Sequence, residues 1–144
     1  MINLTHPSCT SPKTIEKLKK FSCVGEMAES SFEEYKDQIA LVDSGVEYTY
    51  AEIEKKAGAL RNVLKKNGIK VGDKVGIFFP NSADYIISAM AVMSYGAVVV
   101  ALPYHIDEKT IYGASLKFQM SAIIQDASSN EKTALAFKLN ANLK

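Results

Sequence analysis

The residues that usually carry metal or nucleophilic chemistry are scarce in this sequence. Its 144 residues include 2 cysteines and 2 histidines. Cys9 and Cys23 lie close to the N-terminus with no cluster of His or Cys at ligand spacing beside them, so no zinc site is expected. His6 and His105 stand far apart in the chain, and no Ser/His/Asp triad can be assembled around either. Catalytic residues and metal ligands are therefore read as none. Charge of one sign is missing too: 17 Lys and Arg balance 16 Asp and Glu, leaving a formal net charge of +1. Such a balance calls for neither nucleic acid nor an anionic membrane. Met1 to Thr14 has no apolar core of a secretory signal, so the expected location is the cytoplasm, with both thiols reduced. Neither a G-x-G-x-x-G after a strand nor a G-x-x-x-x-G-K-[ST] occurs, which excludes the dinucleotide fingerprint and the Walker loop.

What is present is apolar patterning. At 47% hydrophobic residues the chain can bury a core of one compact domain, although it is short for an enzyme that must bind several substrates. Tyr85 to Tyr104 is uncharged and approaches the roughly 20 residues that span a bilayer. Gly96 divides it, however, into a Met/Ala/Ile segment and the β-branched run Val98-Val99-Val100, and no Lys or Arg cluster flanks it. The stretch reads as a buried helix followed by a buried strand, with no membrane partner.

The pattern orders the remainder. Up to about Lys36 a polar tail leads into short helices, with Ile15 and Leu18 on one face and Val24, Met27, Phe32 and Tyr35 on another. Ile39–Asp43 and Val46–Thr49 form a hairpin across Ser44-Gly45. Thr49 and Glu52 make a capping box for a helix whose Ile53, Ala57, Leu60 and Leu64 share one face. Buried strands are expected over Val75–Phe79, Ala97–Leu102 and Ala122–Gln125. Between them run helices started by Asn81 or Ser82 and by Asp107, the latter with Ile106 and Ile111 as a staple. Leu135, Leu139 and Leu143, spaced by four, place a last short helix on a leucine face. Strict alternation of strand and helix predicts an α/β fold: a three-layer sandwich with a mainly parallel sheet, preceded by the hairpin and N-terminal helices.

Ligands of open α/β sheets bind beyond the carboxyl ends of the strands. Asn81, Ser82, Tyr104 and His105 occupy those loops and are the candidate substrate-binding residues. The competing structural reading makes Asn81 and Ser82 helix caps and Tyr104 a half-buried packing residue. The scattered acidic residues, Asp43 and Asp126 among them, read as solvated.

Several stretches in order resemble the start of the adenylate-forming superfamily of acyl-CoA synthetases and peptide-synthetase adenylation domains. They are Ala40-Leu41-Val42-Asp43, Tyr48 to Ile53, the segment GIKVGDKVGIFFPNSADYI from Gly68 to Ile86, and Gly96 to Val100. The similarity runs from about Val24 to Asp126, which divides the chain into a lead-in (1–23), an N-terminal subdomain (24–126) and a tail (127–144). The resemblance implies carboxylate adenylation with ATP and Mg, then thioester formation with CoA or a pantetheine carrier. The phosphate-binding loop ending in Lys and the C-terminal domain with its catalytic lysine, which lie downstream in that family, have no counterpart in these 144 residues. Lys36 also stands where a proline usually precedes the Asp, and Ala101-Leu102-Pro103-Tyr104 where Pro-Leu-Asn-Pro is common. The expectation is an N-terminal fragment of an acid-thiol ligase, a partial domain inactive alone that needs no cofactor of its own. Its partners would be the remainder of the ligase and, through exposed apolar surface, a second copy. The alternative is a free-standing small-molecule-binding or ligase-docking module.

Overall fold

The computed structural model describes residues 12–144. Its elements are α1 (Pro12–Leu18), α2 (Val24–Glu34), β1 (Ile39–Asp43), β2 (Val46–Thr49), α3 (Tyr50–Lys66), β3 (Lys74–Phe78), α4 (Ala83–Ser94), β4 (Val98–Ala101), α5 (Glu108–Lys117), β5 (Met120–Gln125) and α6 (Asn130–Leu139), with a 3-10 turn (Ala127–Ser129) before α6. Cys9 and His6 lie outside the described residues.

β1 and β2 pair antiparallel, Asp43 opposite Val46, across a two-residue turn in which both Ser44 (φ 51°) and Gly45 (φ 81°) are left-handed. A turn of that hand matches the twist of the strands it joins. Thr49 then caps α3: its hydroxyl accepts from the Glu52 N–H at 3.2 Å, while the Glu52 carboxylate accepts from the Thr49 N–H at 2.8 Å. Ile53, Ala57 and Leu64 of α3 are buried, and Leu60 is half-buried. Arg61 pairs with Glu54 and donates to Ser94 Oγ at 2.9 Å, which ties α3 to the end of α4.

The second sheet is parallel, in the order β4-β3-β5. β3 is central, and Val75 to Phe78 are all buried, as expected of a strand covered on both faces. Val75 lies opposite Val99 on one side and Ala122 on the other. Val75 and Ile77 pack with Leu64, Ile69, Ala89 and Val92 from the α3/α4 side. Phe78 packs with Ile111, Met120 and Ala136 from the α5/α6 side. A third cluster, Ala28, Phe32, Ile53, Ala57, Ala83, Ile87 and Ala91, joins α2 to α3 and α4. Helices on both faces of a parallel sheet make the expected three layers.

The uncharged run is broken where the glycine stands. α4 ends at Ser94, Gly96 adopts φ 86°, and β4 starts at Val98. A Cβ at Gly96 would lie 3.2 Å from Val71 Cγ1 on a backbone that L side chains avoid. Among the described residues, no helix is long and apolar enough to cross a membrane.

Two faces differ from expectation. α2 buries Gly25, Ala28 and Phe32, while Val24 is exposed, because the small residues let α2 approach Met93 and Ser94 of α4 closely. α6 forms without a leucine face: Leu139 is 52% exposed, and Thr133, Ala136 and Asn140 are the buried positions. Leu143 lies beyond the helix and packs on the α5/α6 cluster from a turn.

Candidate functional site

The carboxyl ends of the three parallel strands fall at Phe78, Ala101 and Gln125, so three loops converge there. Tyr104, in the loop after β4, is the hub. Its ring stands 5.2 Å from that of Phe78, tilted by 34°. Lys132 of α6 sets its ammonium 4.8 Å from the Tyr104 ring centroid and donates to the Tyr104 carbonyl at 3.3 Å. The phenol lies 3.5 Å from Ser128 Oγ and accepts from Ser129 Oγ at 3.3 Å. Hydrogen bonding to Ser128, and then to Ser129, holds the Tyr104 hydroxyl below its ordinary pKa. Ser128 in turn donates to the Asp126 carboxylate. Lys132, Ser128 and Ser129 were not among the sequence candidates; the clue was the Asp126 to Ser129 loop, which follows β5 as the other two loops follow β3 and β4.

Asn81 and Ser82 lie elsewhere, against the hairpin. Ser82 is the N-cap of α4, accepting from the Tyr85 N–H at 3.3 Å and donating to the Pro80 carbonyl at 3.1 Å. Asn81 is exposed and precedes the cap. Asp43, expected to be solvated, reaches across from β1 and accepts from the Ala83 N–H at 2.8 Å. That bond is the main reason its carboxyl sits below the usual range. A groove of about 320 Å³ runs here between Val42 and Asp43 of the hairpin and Asn81, Tyr85 and Ile86. The four sequence candidates thus divide into two places, Asn81 and Ser82 beside the hairpin and Tyr104 beside the end of β5. His105 is exposed next to Tyr104.

This arrangement can be tested against a nucleotide triphosphate. Free helix N-termini and turns rich in N–H groups bind phosphate. Here some first-turn donors of α3, α4 and α5 are already taken by the chain's own side chains, whereas α6 starts at Ser129 without a side-chain cap. Asp43 and Ser82 hold those of α4, Asp107 accepts from the Thr110 N–H of α5 at 2.8 Å, and Thr49 takes that of α3. Two of these partners are carboxylates, which repel an incoming phosphate. The Lys132 ammonium lies over two aromatic rings, those of Phe78 and Tyr104. The carboxylates at the starts of α4 and α5 disfavour a phosphate at those two places. The described residues also form an aromatic wall, Phe78 and Tyr104, and a shallow groove beside the hairpin.

The model of the AMP-binding enzyme family matches residues 28–143. The chain belongs to that family. It is 27% identical over 111 residues to a 3-oxocholest-4-en-26-oate–CoA ligase of Rhodococcus rhodochrous, covering 77% of this chain and 20% of that protein. With a linear gramicidin synthase polypeptide of Brevibacillus parabrevis it shares 37% identity over 91 residues, 62% of this chain and 1% of that polypeptide. In fold it is similar to a benzoate CoA ligase from Burkholderia xenovorans LB400, with a TM-score of 0.78 and 14% identity over 86% of this chain and 25% of that one. The chain spans about a fifth of the length of the CoA ligase that it matches.

Proposed function

We propose that this chain is the N-terminal fragment of an ATP-dependent acid-thiol ligase and does not catalyse adenylation by itself. In the complete enzyme a carboxylic acid would be joined to AMP with release of pyrophosphate, and the acyl group then passed to CoA or a carrier's pantetheine. Adenylation makes the carboxyl carbon a usable electrophile, and its rate depends on donors and cations arranged where charge builds on the phosphates. The observation that supports the proposal is that the starts of α4 and α5, the helices that follow β3 and β4, are capped by the chain's own Asp43, Ser82 and Asp107. ATP, Mg and the thiol would be bound by the remainder of the ligase. Tyr104 and His105 would line the acyl side of the complete site, and Asn81 and Ser82 the separate groove beside the hairpin.

Pyrophosphate exchange over a panel of carboxylic acids tests this. The 144-residue chain is expected to give no acid-dependent exchange and no calorimetric ATP binding with magnesium. Exchange should appear when the rest of a related ligase is supplied as a second polypeptide. Acid-dependent exchange by the chain alone would overturn the proposal.

A further inference from the structure

A helix that connects parallel strands runs back against them, so the carboxyl ends of such helices collect where the strands begin. α3, α5 and α6 all end there, at Lys66, Lys117 and Leu139. Two of the three stop in the same way, on a left-handed residue: Gly68 (φ 70°) after α3 and Gln119 (φ 52°) after α5. Between the three ends lies a cleft of about 550 Å³, at the opposite end of the strands from Tyr104.

The field in this cleft favours a cation. Each helix end carries about half a negative charge, on last-turn carbonyls that lack an intrahelical donor. Asp73 adds a carboxylate, and Gln119, Ser121, Asn140 and Asn142 line the cleft with amide and hydroxyl oxygens. The chain already places one ammonium there: Lys144 donates to Asn67 O, at the end of α3, at 2.7 Å. The ends of α5 and α6 receive none. Lys117 and Lys138 stand in their last turns but do not line the cleft, and Lys117 sets its ammonium 5.8 Å from the Phe118 ring centroid. Asp73 Oδ2 accepts from the Lys70 N–H at 2.8 Å, and among the described residues no salt bridge reaches this carboxylate. The floor is polar and fixed, since Ser115 and Asn140 are both buried and Asn140 Nδ2 donates to Ser115 Oγ at 3.2 Å. Leu116 and Met120 add an apolar strip beside it.

We infer that this cleft binds a small primary amine. Its ammonium group is held between Asp73 and the carboxyl ends of α5 and α6, and its short alkyl chain lies along Leu116 and Met120. A bare calcium ion draws several carboxylates into one shell, whereas a single carboxylate lines this cleft, whose volume is that of a small-molecule pocket. The inference is independent of the fragment reading above, because every group it uses lies within these 144 residues.

The probe is butane-1,4-diamine, with butane-1,4-diol as an uncharged molecule of the same length. Each is titrated at constant ionic strength into the 144-residue chain, and backbone amide shifts are followed by NMR. The diamine should shift the amides of Ser115, Gln119, Ser121 and Asn142 along one saturating curve, and the diol should leave them in place. Asp73→Asn keeps an oxygen for the Lys70 N–H but removes the charge, and should weaken diamine binding by about tenfold. Gln119→Lys brings the chain's own ammonium to the cleft and should abolish the shifts. Slow amide exchange at Val75 and Ile77 shows that the sheet of each variant is folded. Equal shifts with the diol, shifts that do not saturate, or unchanged affinity in either folded variant would overturn the inference. Calcium chloride that saturates the same amides more tightly than the diamine would overturn it too, because the occupant would then be a bare cation. None of these readouts involves adenylation, so pyrophosphate exchange and amine binding succeed or fail separately.

Discussion

On the α3/α4 side of the parallel sheet the core is a cluster of Leu64, Ile69, Val75, Ile77, Ala89 and Val92, whereas on the α5/α6 side apolar side chains share the interior with polar ones. Among the described residues, four of the five buried polar ones, Ser115, Ser129, Thr133 and Asn140, belong to α5, α6 and the turns beside α6. These satisfy one another and the backbone. Ser115 Oγ donates to Tyr112 O at 2.8 Å, Asn140 Nδ2 donates to Ser115 Oγ at 3.2 Å, and Thr133 Oγ1 donates to Asn130 O at 3.3 Å. One face is held chiefly by the hydrophobic effect; the other adds the Asn140–Ser115 hydrogen bond, which exists only when both helices are in place.

The comparison predicts the largest single cost on the apolar face. Ile77 is fully buried between the α3/α4 layer and the centre of the sheet. Ile77→Ala removes three buried carbons and leaves a cavity that a central strand cannot collapse around, for a loss of about 2–5 kcal/mol. The measurement is a urea midpoint at unchanged slope. A loss smaller than that of the next variant would erase the distinction between the faces.

That next variant is Asn140→Ala. It leaves the buried Ser115 hydroxyl without its donor and frees the Asn142 N–H, which Asn140 Oδ1 accepts at 3.2 Å. The expected cost is about 1–3 kcal/mol. Because the penalty comes from orphaning a partner, Ser115→Ala and Asn140→Ala together should cost less than their sum, with a coupling of about 0.5–3 kcal/mol in a double-mutant cycle. Strict additivity would mean that the two side chains act separately and that this face has no polar network.

The same contrast explains what could be read from the sequence. α3 and α4 bury apolar residues at helical spacing, so Ile53, Ala57 and Leu64 identify the α3 face correctly. Burial on α6 and its C-cap falls on Thr133, Ala136 and Asn140, a polar and a small face that hydropathy scores as surface. The leucine spacing on α6 therefore pointed to the wrong side. Leu139→Ala, at an exposed position, should change stability by no more than about 0.5 kcal/mol in the same urea measurement. The strands, their order of appearance and the caps at Thr49, Ser82 and Asp107 were legible because each depends on local chemistry. Three features of the candidate site were not. The Asp43 bond to Ala83 joins residues 40 apart. The Tyr104–Lys132 and Tyr104–Ser129 contacts join residues 28 and 25 apart. No local pattern encodes them, since each exists only after the sheet has brought its loops together.

The smallest effects separate the two sides by acid. α4 starts with a carboxylate supplied from the hairpin, Asp43, and α5 with one supplied by its own N-cap, Asp107. Both carboxyls titrate below their ordinary value of 3.8: Asp43 through the Ala83 N–H, and Asp107 through the Thr110 hydroxyl and then its N–H. A depressed carboxyl adds stability that is complete above the unfolded value and is lost as pH falls through the folded one. The acid loss therefore belongs to the range below about pH 3.8, and neither residue contributes pH dependence near neutrality. Asparagine can still accept the N–H but does not titrate, so Asp43→Asn and Asp107→Asn should each keep most of the neutral-pH stability while flattening this acid limb. The location of the change should differ. In the native chain, acid should speed amide exchange at Ala83 together with the hairpin, because Asp43 is the link between them, and Asp43→Asn should remove that joint response. Asp107→Asn should alter only Thr110 and its neighbours in the first turn of α5. If Asp107→Asn also changed the acid response of the hairpin, α5 would not be capped independently, and the two sides of the sheet would be coupled more tightly than their separate clusters imply.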